Sequence, residues 1–147
     1  MTFAPTLSPE LIAQLKTQEK ANISLIKKAP TNADAWLQLA VDYKIAGDYA
    51  GAEAIWIYLT KAAPTSFVAF ANLGDLYTNY LKDNTKAEAN YKIAIKLQPD
   101  YIDNYRNLFY LYLSENNSAA AADIVAQGLK ANPNNPDLLQ LQAQLKK

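Results

Sequence analysis

Apolar residues recur along this chain at the spacing of helices, not of strands. Trp36, Leu39 and Tyr43 stand at i, i+3 and i+7, a single helical stripe. Ala40 lies one step from Leu39, where a small side chain lets a paired helix approach. Ala52 and Trp56, at i and i+4, put a second stripe on that partner, and Pro64 follows its end. The same positions return as Phe70, Leu73, Gly74, Tyr77, Ala87, Tyr91 and Pro99, and again as Tyr105, Leu108, Phe109, Tyr112, Ala121, Val125 and Pro133. Large and small residues interlock in each pair of helices, so these aromatics read as core and not as a ligand cage. The pattern predicts eight helices, at about 9–28, 33–46, 49–62, 67–82, 85–97, 102–115, 118–131 and 136–145.

Starts and stops are as regular as the stripes. Pro30, Pro64, Pro99 and Pro133 are separated by 34, 35 and 34 residues, and each follows a helix it cannot continue. A lysine precedes each by three positions (Lys27, Lys61, Lys96, Lys130), where a cation in the last turn offsets the helix dipole. Ser8 with Pro9 and Glu10 opens the first helix; Thr31 with Asp34, Thr65 or Ser66, and Asp100 with Asp103 are the expected caps of later ones. Gly47-Asp48 and Asn116-Asn117-Ser118 make turns that tolerate left-handed backbone. The middle copy turns through Lys82-Asp83-Asn84-Thr85, and the extra residue behind its 35-residue spacing is expected there. Phe109 stands where a small residue is wanted. The alanines from Ala119 to Ala122, with Gly128, suggest that bulk has moved from the second helix to the first.

The repeated order of aromatic, Leu, small residue and Tyr, then Ala, aromatic and Pro, resembles the tetratricopeptide repeat. The resemblance implies an all-α fold, an α-solenoid of three helix–turn–helix repeats at about 33–66, 67–101 and 102–135 within one domain, 8–147. Residues 1–7 read as a flexible tail. The helix at 9–28 ends like the second helix of a repeat, since Ile23, Leu25, Lys27, Ala29, Pro30 and Thr31 align with Ile57, Leu59, Lys61, Ala63, Pro64 and Thr65. It is expected to cap the first repeat, with Thr17 to Lys20 facing solvent between its two apolar clusters. The helix at 136–145 is expected to cap the last, with Leu138, Leu141 and Leu145 inward and Gln140, Gln144 and Lys146 outward.

The resemblance also implies a concave groove lined by the first helix of each repeat, holding a peptide or a partner's helix. On this chain the expected peptide-binding residues are Gln38, Asn72, Asn107, Leu37, Val41, Asp75, Arg106 and Tyr110. Gln38, Asn72 and Asn107 recur at 34 and 35 residues and form an expected amide ladder. An amide carries donors and an acceptor that suit an extended main chain, or else bonds between neighbouring repeats. Some relatives grip the terminal carboxylate of heat-shock chaperones with two lysines, an arginine and asparagines. Here only Asn72 matches; Leu37, Val41, Asp103 and Asn107 occupy the other positions, so chaperone C-terminal tails are not expected as partners.

Composition narrows the remaining classes. Among 147 residues the charges sum to zero, which gives no electrostatic footprint for nucleic acid. The chain has no cysteine and no histidine, so thiol chemistry, the commonest general base and the commonest metal ligand are all absent. Acids are scattered over caps and exposed faces; no enzyme activity, cofactor or metal is expected. No apolar run is long enough to span a bilayer, so direct membrane insertion is not expected. The compartment stays open: cytoplasmic for a complete chain, or the soluble part of an anchored or exported parent. The alternative to a peptide-binding scaffold is an assembly module that self-associates into a homo-oligomer or serves a membrane-anchored complex.

Overall fold

The computed structural model describes residues 1–145, which leaves the expected outward position of Lys146 outside the described residues. They form two compact units, Met1–Pro64 and the stretch from Thr65 onward. Among the described residues all regular structure is helical, with consecutive helices of each unit packed antiparallel.

The first unit holds α1 (Pro9–Lys28), α2 (Ala33–Ala46) and α3 (Tyr49–Ala62). Leu39, Ala40, Ala52 and Trp56 are buried as their spacing requires, while Trp36 and Tyr43 are half-buried. α2 is capped by Asn32, whose Oδ1 accepts from the Ala35 N–H, and not by the expected Thr31. Gly47 takes φ +84° to end α2, and Asp48 then caps α3 by accepting from the Gly51 N–H. Thr17 to Lys20 of α1 do not all face solvent, because Glu19 accepts a hydrogen bond from the Tyr43 hydroxyl at 2.9 Å. Burial first, then that carboxylate, pushes the Tyr43 phenol up to about 12.

Residues 1–7, read from sequence as a flexible tail, are docked. The Ala4 N–H donates to the Ala46 carbonyl at 2.7 Å and the Thr2 N–H to Asp48 Oδ2 at 2.7 Å. The reason lies at Gly47, where a β-carbon would stand 2.7 Å from that of Ala4. A glycine needed for the turn thus also leaves room for the chain to lie against it.

The second unit runs from α4 (Phe67–Leu76), through a π-helical turn (Tyr77–Leu81), to α5 (Asn84–Leu97), α6 (Ile102–Ser114), α7 (Ser118–Ala131) and α8 (Pro136–Gln144). The π turn is where the extra residue of the middle copy resides, and not in the connection as the sequence suggested. Counted from the first helical residue to the left-handed residue of the turn, both included, the copies span 15 (Ala33 to Gly47), 16 (Phe67 to Lys82) and 15 (Ile102 to Asn116) positions. Lys82 at φ +56° and Asn116 at φ +57° do the work of Gly47, and Asp83 and Asn117 cap the next helices. The expected caps Ser66 and Asp100 do not act as such: Ser66 makes no cap hydrogen bond, and Tyr101 occupies the cap position of α6.

Gly74 is buried against Tyr91; a β-carbon there would lie 2.6 Å from the ring. At the corresponding positions of the third copy, Phe109 and Val125 are 0% and 1% exposed. The bulk has therefore moved from the second helix to the first, as its sequence suggested. Gly128 has a different use: a β-carbon there would meet Leu138 and Tyr105, so it seats α8. Leu138 and Leu141 are buried, Leu145 is half-buried, and Gln140 and Gln144 are exposed. Tyr112 repeats the arrangement of Tyr43, its hydroxyl donating to Glu88 at 2.8 Å.

Candidate interaction site

Helices α4 and α6 are the first helices of successive copies, and their side chains line an open hollow of about 220 Å³ in the second unit. Val68, Ala71, Asn72 and Asp75 come from α4, and Asp103, Asn104, Arg106 and Asn107 from α6. Phe67 and Tyr101 add an aromatic pair with ring centroids 4.8 Å apart. The positions follow from helical repetition: Val68, Ala71, Asn72 and Asp75 share one stripe, as do Asp103, Arg106 and Asn107.

Asp75 joins three helices. Its Oδ1 accepts from the Tyr91 hydroxyl of α5 at 2.6 Å and from Asn107 Nδ2 of α6 at 2.9 Å. Burial, and then the Asp75 charge, push the Tyr91 phenol far above its ordinary value, so it stays a donor at every physiological pH. Asn72 Nδ2 donates to the Val68 carbonyl one turn back, at 2.9 Å. Arg106 pairs with Asp103 one turn away on α6, both side chains being partly exposed. Burial and the Asp103 carboxylate raise the Tyr101 phenol as well.

Asn104 stands apart from these. It is 1% exposed, it lines the hollow, and its Nδ2 has no hydrogen-bond partner. Leaving such a donor unmade costs ~1–3 kcal/mol. Among the described residues the other buried donor without a partner, Trp56 Nε1, belongs to a ring wholly enclosed in the core of the first unit.

Of the residues expected from sequence to bind a peptide, Asn72, Asp75, Arg106 and Asn107 meet in this hollow. Tyr110 is 48% exposed and lines a neighbouring hollow with Thr78, Asn79, Asn107 and Ser114. Leu37, Gln38 and Val41 lie on α2, in the first unit. Gln38 is exposed and donates to Asp42 Oδ1 at 2.9 Å, while Asn22 donates to Asp42 Oδ2 at 3.0 Å. The three amides of the expected ladder therefore have unlike partners: a carboxylate one turn on, a carbonyl one turn back, and a carboxylate on another helix.

Phe67, Tyr101 and Asn104 were missed by sequence reasoning. For Asn104 a signal existed. Counting back 35 and then 34 residues gives Ala69 and Ala35, both buried, so an amide replaces the alanine of the other copies.

Residues 81–145 match a family model described as Tetratricopeptide repeat. No curated protein matches the sequence. Among solved structures, the crystal structure of MamA is similar with a TM-score of 0.72 at 20% identity, over 92% of this chain and 79% of that one. A thermophilic tetratricopeptide protein of Thermus thermophilus gives a TM-score of 0.70 at 20% identity, over 92% of this chain and 74% of that one. The first such domain of Spaghetti (RPAP3), bound to the HSP90 peptide SRMEEVD, gives 0.64 at 20% identity, over 78% of this chain and 90% of that one. Proteins of this kind generally mediate protein–protein interactions, on a scaffold that is typically non-catalytic. Residues 81–145 thus belong to the tetratricopeptide repeat family, and the all-α fold of paired helices is that of the similar solved structures.

Proposed function

We propose that the chain is a non-enzymatic interaction scaffold that holds an extended peptide or a partner's helix against the first helices of its repeats. The observation that carries this reading is the open hollow between α4 and α6, in which Asn72, Asp75, Arg106 and Asn107 gather. Asn72 and Asn107 each carry two amide protons, and each hydrogen bond described above uses one of them. The second proton and the carbonyl oxygen of each suit the C=O and N–H groups of a main chain.

The test is Asn72→Ala combined with Asn107→Ala, measured against a peptide selected by display on the whole chain. Each lost hydrogen bond to the ligand costs ~1 kcal/mol, so affinity is expected to fall roughly ten- to a hundredfold, while loss of the Asn107–Asp75 bond lowers the melting temperature only slightly. Normal binding with earlier melting would assign the amides to the scaffold's own structure.

The likeness to Spaghetti weighs against excluding chaperone tails on general grounds. The case against them rests on this chain's own residues. Asp103 and Asp75 face the hollow and would repel a terminal carboxylate, with Arg106 already engaged by Asp103. Self-association is the second reading, favoured by exposed Tyr58, Tyr80, Tyr110 and Ile93. An apparent mass that rises with concentration would select it.

A further inference from the structure

The hollow between α4 and α6 has a chemical preference of its own, and the inference rests on the peptide-binding reading above. Two carboxylates, Asp75 and Asp103, line it against one guanidinium, Arg106, so its charge is net negative. Phe67 and Tyr101 also line it, and aromatic rings beside carboxylates make a setting that attracts cations electrostatically. The buried Asn104 Nδ2 is a donor without an acceptor. Acids alone would describe an ordinary solvated face. The orphan amide is an independent sign that a ligand oxygen belongs there, because the fold spends stability on it where both other copies use alanine.

We propose that this hollow is a side-chain pocket for a lysine or arginine of an extended partner peptide. The cationic head lies between Asp75, Asp103 and the Phe67–Tyr101 pair, and a main-chain carbonyl of the same peptide accepts from Asn104 Nδ2. The volume of about 220 Å³ is far above the ~10–15 Å³ that one water requires. The Asn104 amide is covered in the chain alone, so its cover must give way for a carbonyl to reach it. The Arg106–Asp103 pair is the part of the lining best suited to yield. An exposed ion pair of this kind holds its partners by only ~0–1 kcal/mol, and its opening frees Asp103 for the incoming cation.

The experiment titrates the whole ¹⁵N-labelled chain with four acetylated, amidated tripeptides: Ala-Lys-Ala, Ala-Arg-Ala, Ala-Glu-Ala and Ala-norleucine-Ala. The Asn104 side-chain resonance and the backbone amides of Asp75 and Asn107 are followed. The lysine and arginine peptides are expected to shift these signals, with the glutamate and norleucine peptides weaker by on the order of tenfold. Asp103→Asn, at a partly exposed position, is expected to weaken the lysine peptide on the order of fivefold, and Asp75→Asn to do the same if it folds. Asn104→Ala is expected to weaken it by on the order of fivefold while keeping or raising the melting temperature.

A glutamate peptide that binds as tightly as the lysine one would overturn the proposal. So would an Asn104→Ala variant that melts earlier and binds normally, or the absence of any shift at Asn104. If display-selected peptides bind through Asn72 and Asn107 but carry no basic residue, this pocket assignment falls and the peptide-binding reading stands. If no peptide binds at all, both fall.

Discussion

The two units treat a buried carboxylate in opposite ways. In the first, Asp42 is 1% exposed and closed off: Asn22 donates to one oxygen and Gln38 to the other. In the second, Asp75 is half-buried at the edge of an open hollow, and a neighbouring amide, Asn104, lacks a partner. Asn22 stands 34 residues before Trp56, at a position that the later copies fill with buried apolar or aromatic side chains, Trp56, Tyr91 and Val125. A sealed polar contact there fixes how α1 meets α2, since a buried carboxylate tolerates few alternatives. The half-open arrangement of the second unit gives up that economy and leaves groups for something else to satisfy. Internal repetition thus holds the helices constant while local polarity sorts sealed structure from available surface.

The strongest way to break the comparison is at the aromatic anchors. Trp56→Ala in the first unit and Phe109→Ala in the second are each expected to cost ~3–5 kcal/mol, read by thermal or urea melts. Combining Phe109→Gly with Val125→Tyr copies the Gly74–Tyr91 arrangement of the preceding repeat. It is expected to recover part of what Phe109→Gly alone loses; a double variant no more stable than the single one would show that the exchange of bulk is not what balances the third copy.

A smaller effect separates the two polar centres. Asn22→Ala leaves Asp42 buried with one donor fewer, and a loss of ~1–3 kcal/mol is expected in urea melts. Equal stability of this variant and the parent would show the sealed contact to be dispensable.

The smallest effect is on the acid side of the stability curve. Hydrogen bonds from Lys92 and then Tyr112 hold the Glu88 carboxyl below its ordinary value. A pKa lowered by folding contributes stability that is fully present above the unfolded value of about 4.3 and is lost as pH falls through the folded one. The gap in melting temperature between parent and Glu88→Gln is therefore expected to be widest near neutrality and to close below about pH 4. A gap that stays constant to pH 3 would remove the carboxylate charge as its cause.

Much of this was legible because helix periodicity and the spacing of prolines are properties of the chain alone. Trp56, Tyr91 and Tyr105 had to be core, since no other arrangement of a two-helix repeat hides them. The hollow was partly legible for the same reason, because Asn72 and Asn107 follow their stripes. What escaped depends on contacts between segments. Glu19, Glu53 and Glu88 recur at 34 and 35 residues, a rhythm as readable as that of the prolines. Yet nothing local says that the carboxylates of Glu19 and Glu88 meet the hydroxyls of Tyr43 and Tyr112. The docking of residues 1–7 arises from space left at Gly47, and space is invisible in a one-dimensional pattern. Asn104 was hidden by its neighbour Tyr105, whose stripe drew the reading one position along.

The π turn at Tyr77–Leu81 bears on how such a chain tolerates change in length. Tyr77 at its start and Asp83 after it keep the places of Tyr43 and Asp48, so an added residue is stored as winding over a single turn. Neither the hollow upstream nor the cap downstream registers the insertion. In a repeat whose every other position is committed to core, cap or face, the end of the first helix is the joint at which a residue can enter or leave and the rhythm survive.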